Sequence, residues 1–280
     1  MSTSAKSEPV RLRGSEASSE RPALTPAQWL RSQPLALRFA LSRRLRWRRP
    51  GYVENAAGEL SGLEPAVAAR IEQLRARYGC HYERRYHRLH SLENYLYLDL
   101  LDRLRSVVGG DWPEGGDWLD VGSKHFWYAP VLLQSLRPAS LVGVEIEGYR
   151  IYPDGHSRHD YAQYYLAGLP GVAYRVQDVM DWRQPVDGIT CFYPFLLPGT
   201  VLAWGLPVSV LRPRALFTHL ADCLRPGGRL LMVNQGLDEA ARAQAMVEAA
   251  GLRRRHSLTV TQALLPRPAP PVLSLFVKAI

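Results

Sequence analysis

From Asp117 onward, short apolar runs alternate with stretches of helical length, and that alternation leaves few architectures open. The segments 117–121 (DWLDV), 140–145 (SLVGVE), 172–176 (VAYRV), 187–193 (DGITCFY) and 229–234 (RLLMVN) read as strands. Between them, YAPVLLQSLRP, RHDYAQYYLAGLPG, RPRALFTHLADCLRPGG and DEAARAQAMVEAAG read as helices, and two β-rich runs, HSLTVTQALL and VLSLFVKAI, close the chain. Strands joined by crossovers of this length form a mostly parallel sheet with helices on both faces. The expected class is α/β, doubly wound. Ligands of such sheets bind beyond the carboxyl ends of the strands, here just after residues 121, 145, 176, 193 and 234.

The preceding sequence has another texture. Residues 1–24 are rich in Ser, Glu, Arg and Pro and are expected to be a disordered tail. Residues 25–110 form an N-terminal helical region, and 111–280 the sheet domain. Its first helix has Leu37, Leu41 and Leu45 at four-residue spacing and stops at Pro50. A second places Val67, Ile71, Leu74 and Tyr78 on one face and ends at Gly79. The third, SLENYLYLDLLDRLRSVVGG, opens on a Ser91 capping pair with Glu93 or Asn94 and ends at Gly109 and Gly110.

The net charge is +9, and between Arg31 and Val53 there are seven Arg and no acid. Such a face suits an anionic partner (nucleic acid, phospholipid headgroups or a charged metabolite), or it is solvated surface. The three cysteines lie far apart with no C-x-x-C pair, so neither a disulfide framework nor a zinc site is supported. A reducing, cytoplasmic setting is expected, and no secretory signal is read at the N-terminus. The uncharged run from Gly188 to Leu211 is broken by three Pro and three Gly, so no integral membrane span is expected.

The strand ends carry the chemistry. Asp120 and Gly122 close the first strand, Glu145 the second, Gln177 and Asp178 the third, and Tyr193, Pro194 and Phe195 the fourth, while LRPGG, read as a helix stop and turn, precedes the fifth. A glycine at the first turn lets the backbone approach an anion at a helix start. An acid a little over twenty residues on suits a ribose diol. With these motifs, DWLDVGSK, LVGVEIE, YRVQDVMDW, DGITCFYPF, LADCLRPGGRLLMVNQG and LFVKAI, residues 115–280 resemble the class I S-adenosylmethionine-dependent methyltransferases. The resemblance implies a Rossmann-like sheet with an antiparallel last strand and S-adenosyl-L-methionine as cofactor. It places Asp120, Gly122, Ser123 and Lys124 at the methionine part, Glu145 on the ribose, Asp178 and Val179 on the adenine, and Tyr193 beside the reacting methyl.

One departure stands out. Where the family has G-x-G-x-G, this chain has Gly122, Lys124 and Phe126. Either the loop is reshaped and Lys124 pairs with the cofactor's carboxylate, or the cofactor is lost and the protein is a binding scaffold. A nicotinamide-binding domain needs G-x-G-x-x-G, which GSKHFW lacks. Candidate proton-transfer residues are His125, Tyr193, His156 and His159, although surface or capping roles suit each His as well. His156 and His159 have no carboxylate or Cys cluster for a metal, so no metal is expected. The segment 195–211 is either an apolar lid or a packed loop and helix, and 78–97 is a candidate opposite wall. Tyr and Arg interleaved in 78–97 also suit stacking on RNA, which leaves RNA as the alternative to a small-molecule acceptor. The sequence does not set an oligomeric state.

Overall fold

The computed structural model describes residues 24–280, so the expected tail, Leu24 apart, lies outside the described residues. The helical region comprises α1 (Pro26–Leu45), α2 (Pro65–Tyr78) and α3 (Arg88–Val108). The sheet portion runs β1 (Asp117–Val121), α4 (Ala129–Leu136), β2 (Ser140–Glu145), α5 (Arg158–Leu166), β3 (Val172–Val176), β4 (Val186–Phe192) and α6 (Pro198–Ala203). It continues with α7 (Pro213–Cys223), β5 (Leu224–Gln235), α8 (Leu237–Ala249), β6 (Leu252–Thr259) and β7 (Pro271–Lys278).

The seven strands form one sheet in the order β3-β2-β1-β4-β5-β7-β6. The first five strands pair in parallel, and β7 runs antiparallel between β5 and β6. The fold is therefore the Rossmann-like, mostly parallel α/β sheet expected, with N-terminal helices before it. The order in which strands are added reverses between β1 and β4, and ligands of open α/β sheets bind at such a switch point. Among the described residues no helix is long and apolar enough to cross a membrane.

Local chemistry explains most boundaries. Thr25 caps α1 through a reciprocal box with Gln28, and Pro26 sits at the first position. Gly79 ends α2 in the left-handed conformation. Three boundaries differ from expectation. The cap of α3 is His87, whose side chain accepts the His90 N–H, while Ser91 lies inside the helix and bonds the carbonyls of Tyr86 and His87. The helix before LRPGG stops at Cys223, and LRPGG runs as the irregular start of β5, its register against β4 shifting between Val186 and Gly188. The spacing of Leu37, Leu41 and Leu45 reports a helix, but it ends at Leu45 and that stripe is exposed.

Side chains alternate across the sheet into two cores. On one face Trp118, Leu231, Val233 and Leu273 join α2, α3 and α4 in a single cluster, so the N-terminal helices share the sheet's core. On the other, Leu119, Ile189, Leu230 and Met232 pack with α7 and α8. On the first face two glycines make room for aromatic rings. Gly188 lies opposite Trp118 in register, and a Cβ there would stand 2.4 Å from the indole. A Cβ on Gly143 would stand 2.6 Å from the ring of Phe126.

Gly188→Ala should therefore destabilise the fold by about 1–3 kcal/mol through overpacking. Gly199, whose added Cβ meets nothing within 4 Å, serves as a control expected to be neutral on Ala substitution. Urea denaturation checks both, with a lower midpoint at unchanged slope expected for Gly188→Ala alone.

Candidate functional site

At the carboxyl ends of the parallel strands the chain encloses a cavity of about 640 Å³, within the usual range for small-molecule sites. One wall is built from the strand ends, with Gly122 after β1, Glu145 closing β2, and Gln177, Asp178 and Val179 after β3. Phe39 and Arg43 of α1 and Trp204 after α6 cover it from outside. Glu93 and Tyr97 of α3, Tyr193 after β4 and Arg267 before β7 line the far end.

The loop after β1 keeps its shape without its glycines. Gly122, Lys124 and Phe126 all have positive φ, at +74°, +53° and +55°. Lys124 and Phe126 thus hold a backbone conformation that costs a side-chain-bearing residue about 1–2 kcal/mol. Three contacts secure it. The Gly122 and Ser123 N–H groups both donate to the Val144 carbonyl. Glu145 Oε2 accepts the Lys124 N–H at 2.8 Å. The Phe126 ring, fully buried, turns away from the cavity onto Gly143. Lys124 lines the cavity, its Nζ 5.0 Å from the centre of the Trp127 ring and 5.6 Å from that of Trp204. Burial, then the charge of Arg158, lowers its pKa. Neither replacement side chain fills the hollow, and a Cβ built on Gly122 meets nothing within 4 Å.

Glu145 is a fixed acceptor. Its Oε1 takes the Glu147 N–H at 2.8 Å and lies 3.3 Å from Arg158 Nη1. Asp178 caps the short turn 179–181 through Oδ1 and the Met180 N–H. Gly122, Lys124, Glu145, Asp178, Val179 and Tyr193 are brought together around one cavity. Asp120 and Ser123 are not on it. Period two puts Asp120 on the Trp118 face, beneath the loop. There its two oxygens accept from Tyr128 Oη at 2.7 Å and Thr190 Oγ1 at 2.6 Å. The Ser123 hydroxyl donates to the Asp120 carbonyl.

Of the proton-transfer candidates only Tyr193 borders the cavity. It too has positive φ, +54°, and its buried hydroxyl has no partner among the described residues. Burial raises its pKa, so it is protonated near neutrality. His125 is buried off the cavity, with Nδ1 2.8 Å from Tyr152 Oη and Nε2 3.4 Å from His90 Nε2. Burial and then the Lys124 charge hold its pKa well below that of a free His. His156 faces the Arg49 carbonyl, and His159 stacks on Tyr149.

Glu54, His87 and His90 bring possible ligand atoms within 4.8 Å of one another. Their hydrogen bonds compete with that use. His87 Nδ1 accepts the His90 N–H, which leaves the proton on Nε2, facing Glu54 Oε1 at 3.4 Å. Glu54 also takes Tyr165 Oη at 2.7 Å and the His87 N–H at 3.0 Å. The three side chains are a satisfied network that ties residues 52–54 to α3 and α5.

Phe39, Arg43 and Arg267 on the cavity escaped the sequence reading, whereas Glu93 and Tyr97 lie in the candidate wall 78–97 and Trp204 in the candidate lid 195–211. The Tyr-rich run 78–97 does supply a wall, through Glu93 and Tyr97. Tyr82, Tyr86 and Tyr95 are in the core, so these rings give no surface platform for RNA bases.

No family model matches the sequence, and no curated protein matches it. Many solved structures do. The N-methyltransferase NodS of Bradyrhizobium japonicum WM9 superposes with a TM-score of 0.48 at 12% identity, over 68% of this chain and 97% of that one. Magnesium protoporphyrin IX methyltransferase of Synechocystis PCC 6803, with bound SAM, gives 0.47 at 13% identity over 79% and 100%. Ribosomal protein L11 methylase of Lactobacillus delbrueckii subsp. bulgaricus gives 0.42 at 13% over 66% and 78%. Each of these is a likeness of fold, at low identity. Support for a function comes from this chain's own cavity.

Complete burial raises the Asp120 carboxyl from 3.8 to about 6, against the lowering effect of its hydrogen bonds from Thr190 and Tyr128. The folded chain therefore holds a proton between about pH 4 and 6 that the unfolded chain releases, so this group's contribution to stability falls as pH rises through that window. The full effect is about 3 kcal/mol. Asp120→Asn should gain on wild type as pH goes from 4 to 7, as read from urea midpoints of the two proteins at each pH. An unchanged difference would show that Asp120 is ionised throughout.

Proposed function

We propose that the chain is an S-adenosylmethionine-dependent methyltransferase acting on a small-molecule acceptor. The observation that carries this reading is the open wall at the switch point. Gly122, Glu145 and Asp178 face one cavity there, and the bulky residues in the glycine positions leave it clear. The residues present fit the cofactor. Glu145 keeps lone pairs for the ribose hydroxyls, and Asp178 Oδ2 with the Val179 N–H suits an adenine edge. Lys124, on the cavity wall, offers a cationic partner for the methionine carboxylate.

Bound there, the cofactor supplies an electrophilic methyl group on a sulfonium. The chain's part is to orient the acceptor and exclude water. Phe39, Trp204 and the segment 195–211 close the cavity, while Tyr193, protonated, orients by donating a hydrogen bond rather than by removing a proton. Glu93 and Arg267 give the far end charges of both signs, suited to a polar acceptor. The buried tyrosines of 78–97 weigh against an RNA acceptor.

Isothermal calorimetry with S-adenosylhomocysteine tests the reading. Wild type should bind, Glu145→Gln and Lys124→Met should each weaken binding about tenfold or more, and Leu89→Glu, at an exposed position of α3, should not. If wild type gives no heat at millimolar ligand, the protein is a scaffold that has lost its cofactor.

A further inference from the structure

Helix α1 has two faces of opposite use. Ser32, Phe39 and Ser42, on one side, turn toward the body of the chain, and the Ser32 hydroxyl accepts the Val208 N–H. Leu30, Leu37, Leu41 and Leu45, at seven- and four-residue spacing, line the other side. These leucines are between 48 and 71 % exposed, and Trp29 and Trp47 at the two ends are 54 and 48 % exposed. Among the described residues nothing covers this stripe. The guanidinium groups of Arg31, Arg44 and Arg46 beside it make no hydrogen bond or ion pair among the described residues, and no acid occurs between Arg31 and Val53.

We propose that α1 docks this protein on an anionic phospholipid surface, leucines toward the acyl layer and arginines on the headgroups. An apolar stripe flanked by arginines and ended by tryptophans has the chemistry of a helix lying in the interfacial plane. Other occupants fit less well. RNA would use the arginines and leave four leucines in water. A second copy would meet a stripe roughly 30 Å long and 10 Å wide, about half or less of what each partner buries in a stable pair. Residues 1–23 have only Met1, Val10 and Leu12 as large aliphatic residues, too few to cover it. Phe39 and Arg43 on the inner face line the cavity, so docking sets that cavity one helix diameter, about 10 Å, from the headgroups.

Vesicle flotation of the full chain tests this without any activity readout. The protein should float with phosphatidylcholine vesicles carrying about 30% phosphatidylglycerol and far less with phosphatidylcholine alone, the difference shrinking between about 0.1 and 0.5 M salt. The double substitution Leu37→Glu and Leu41→Glu should lower the bound fraction at least tenfold at an unchanged unfolding midpoint. Leu89→Glu, an exposed leucine on α3, should leave it unchanged. Three results would overturn the proposal: wild type that stays unbound to anionic vesicles, a double variant that floats like wild type, or a wild-type dimer in light scattering that the double variant splits. Retention on bulk RNA that is insensitive to the leucine substitutions, without flotation, would assign the arginines to nucleic acid instead.

Discussion

Three alternate residues after β1, Gly122, Lys124 and Phe126, share a left-handed backbone, and the shape of the cavity follows from holding it. Without Lys124 and Phe126 as glycines, that conformation is intrinsically unfavourable, by about 1–2 kcal/mol at each. The compensation is spread over neighbours that look unrelated in sequence. Burying the Phe126 ring returns about 1.5–3 kcal/mol, and it is buried only because residue 143 on the neighbouring strand has no side chain. The Lys124 N–H is fixed by Glu145, the acid that also faces the hollow. The loop, the bare position in β2 and the carboxylate at its end are therefore one arrangement. Changing any one of them shifts the other two.

That arrangement decides where the buried charge goes. Asp120, directly beneath, has no route to the cavity and is held by Tyr128 and Thr190. It stiffens the base of the loop through Tyr128, the residue just before α4, where the loop ends. An acid at the end of a strand can face either side of the sheet, and the side is set by register. The period of two along β1 puts Asp120 with Trp118, on the face covered by α3 and α4.

The alternation of strand and helix was legible because the central parallel strands are short apolar runs, β3 at the edge alternates exposed and half-buried residues, and the helices between them bury one face. Strand ends came out within a residue for β1, β2, β3 and β4. The start of β5 did not, since Pro226, Gly227 and Gly228 read as a turn and only pairing with β4 extends the strand through them. Gly122, Glu145, Asp178 and Tyr193 were legible as residues lining one cavity because a parallel sheet gathers its carboxyl ends. Phe39, Arg43 and Arg267 were not, because their approach depends on how α1 and the β6–β7 connection fold over those ends. The leucines of α1 show the same limit in another form. Spacing reports that a helix has an apolar side, but not what lies against it.

Charge within the cavity bears on what it can hold. Arg158, almost fully buried, stands 3.3 Å from Glu145 and 3.5 Å from Glu147, and Arg150 lies 3.1 Å from Glu147, so two acids and two cations share a small volume. Burial raises the pKa of Glu147, which eases the crowding of negative charge beside Glu145. Glu145, fixed by the N–H groups of Lys124 and Glu147, favours neutral hydroxyls over a cation, because a cation would compete with Arg158. At the opposite end Arg267 stands with Glu93 and the rings of Tyr97 and Tyr193, so that end offers charges of both signs. The two ends of the cavity therefore differ in the ligand atoms they suit.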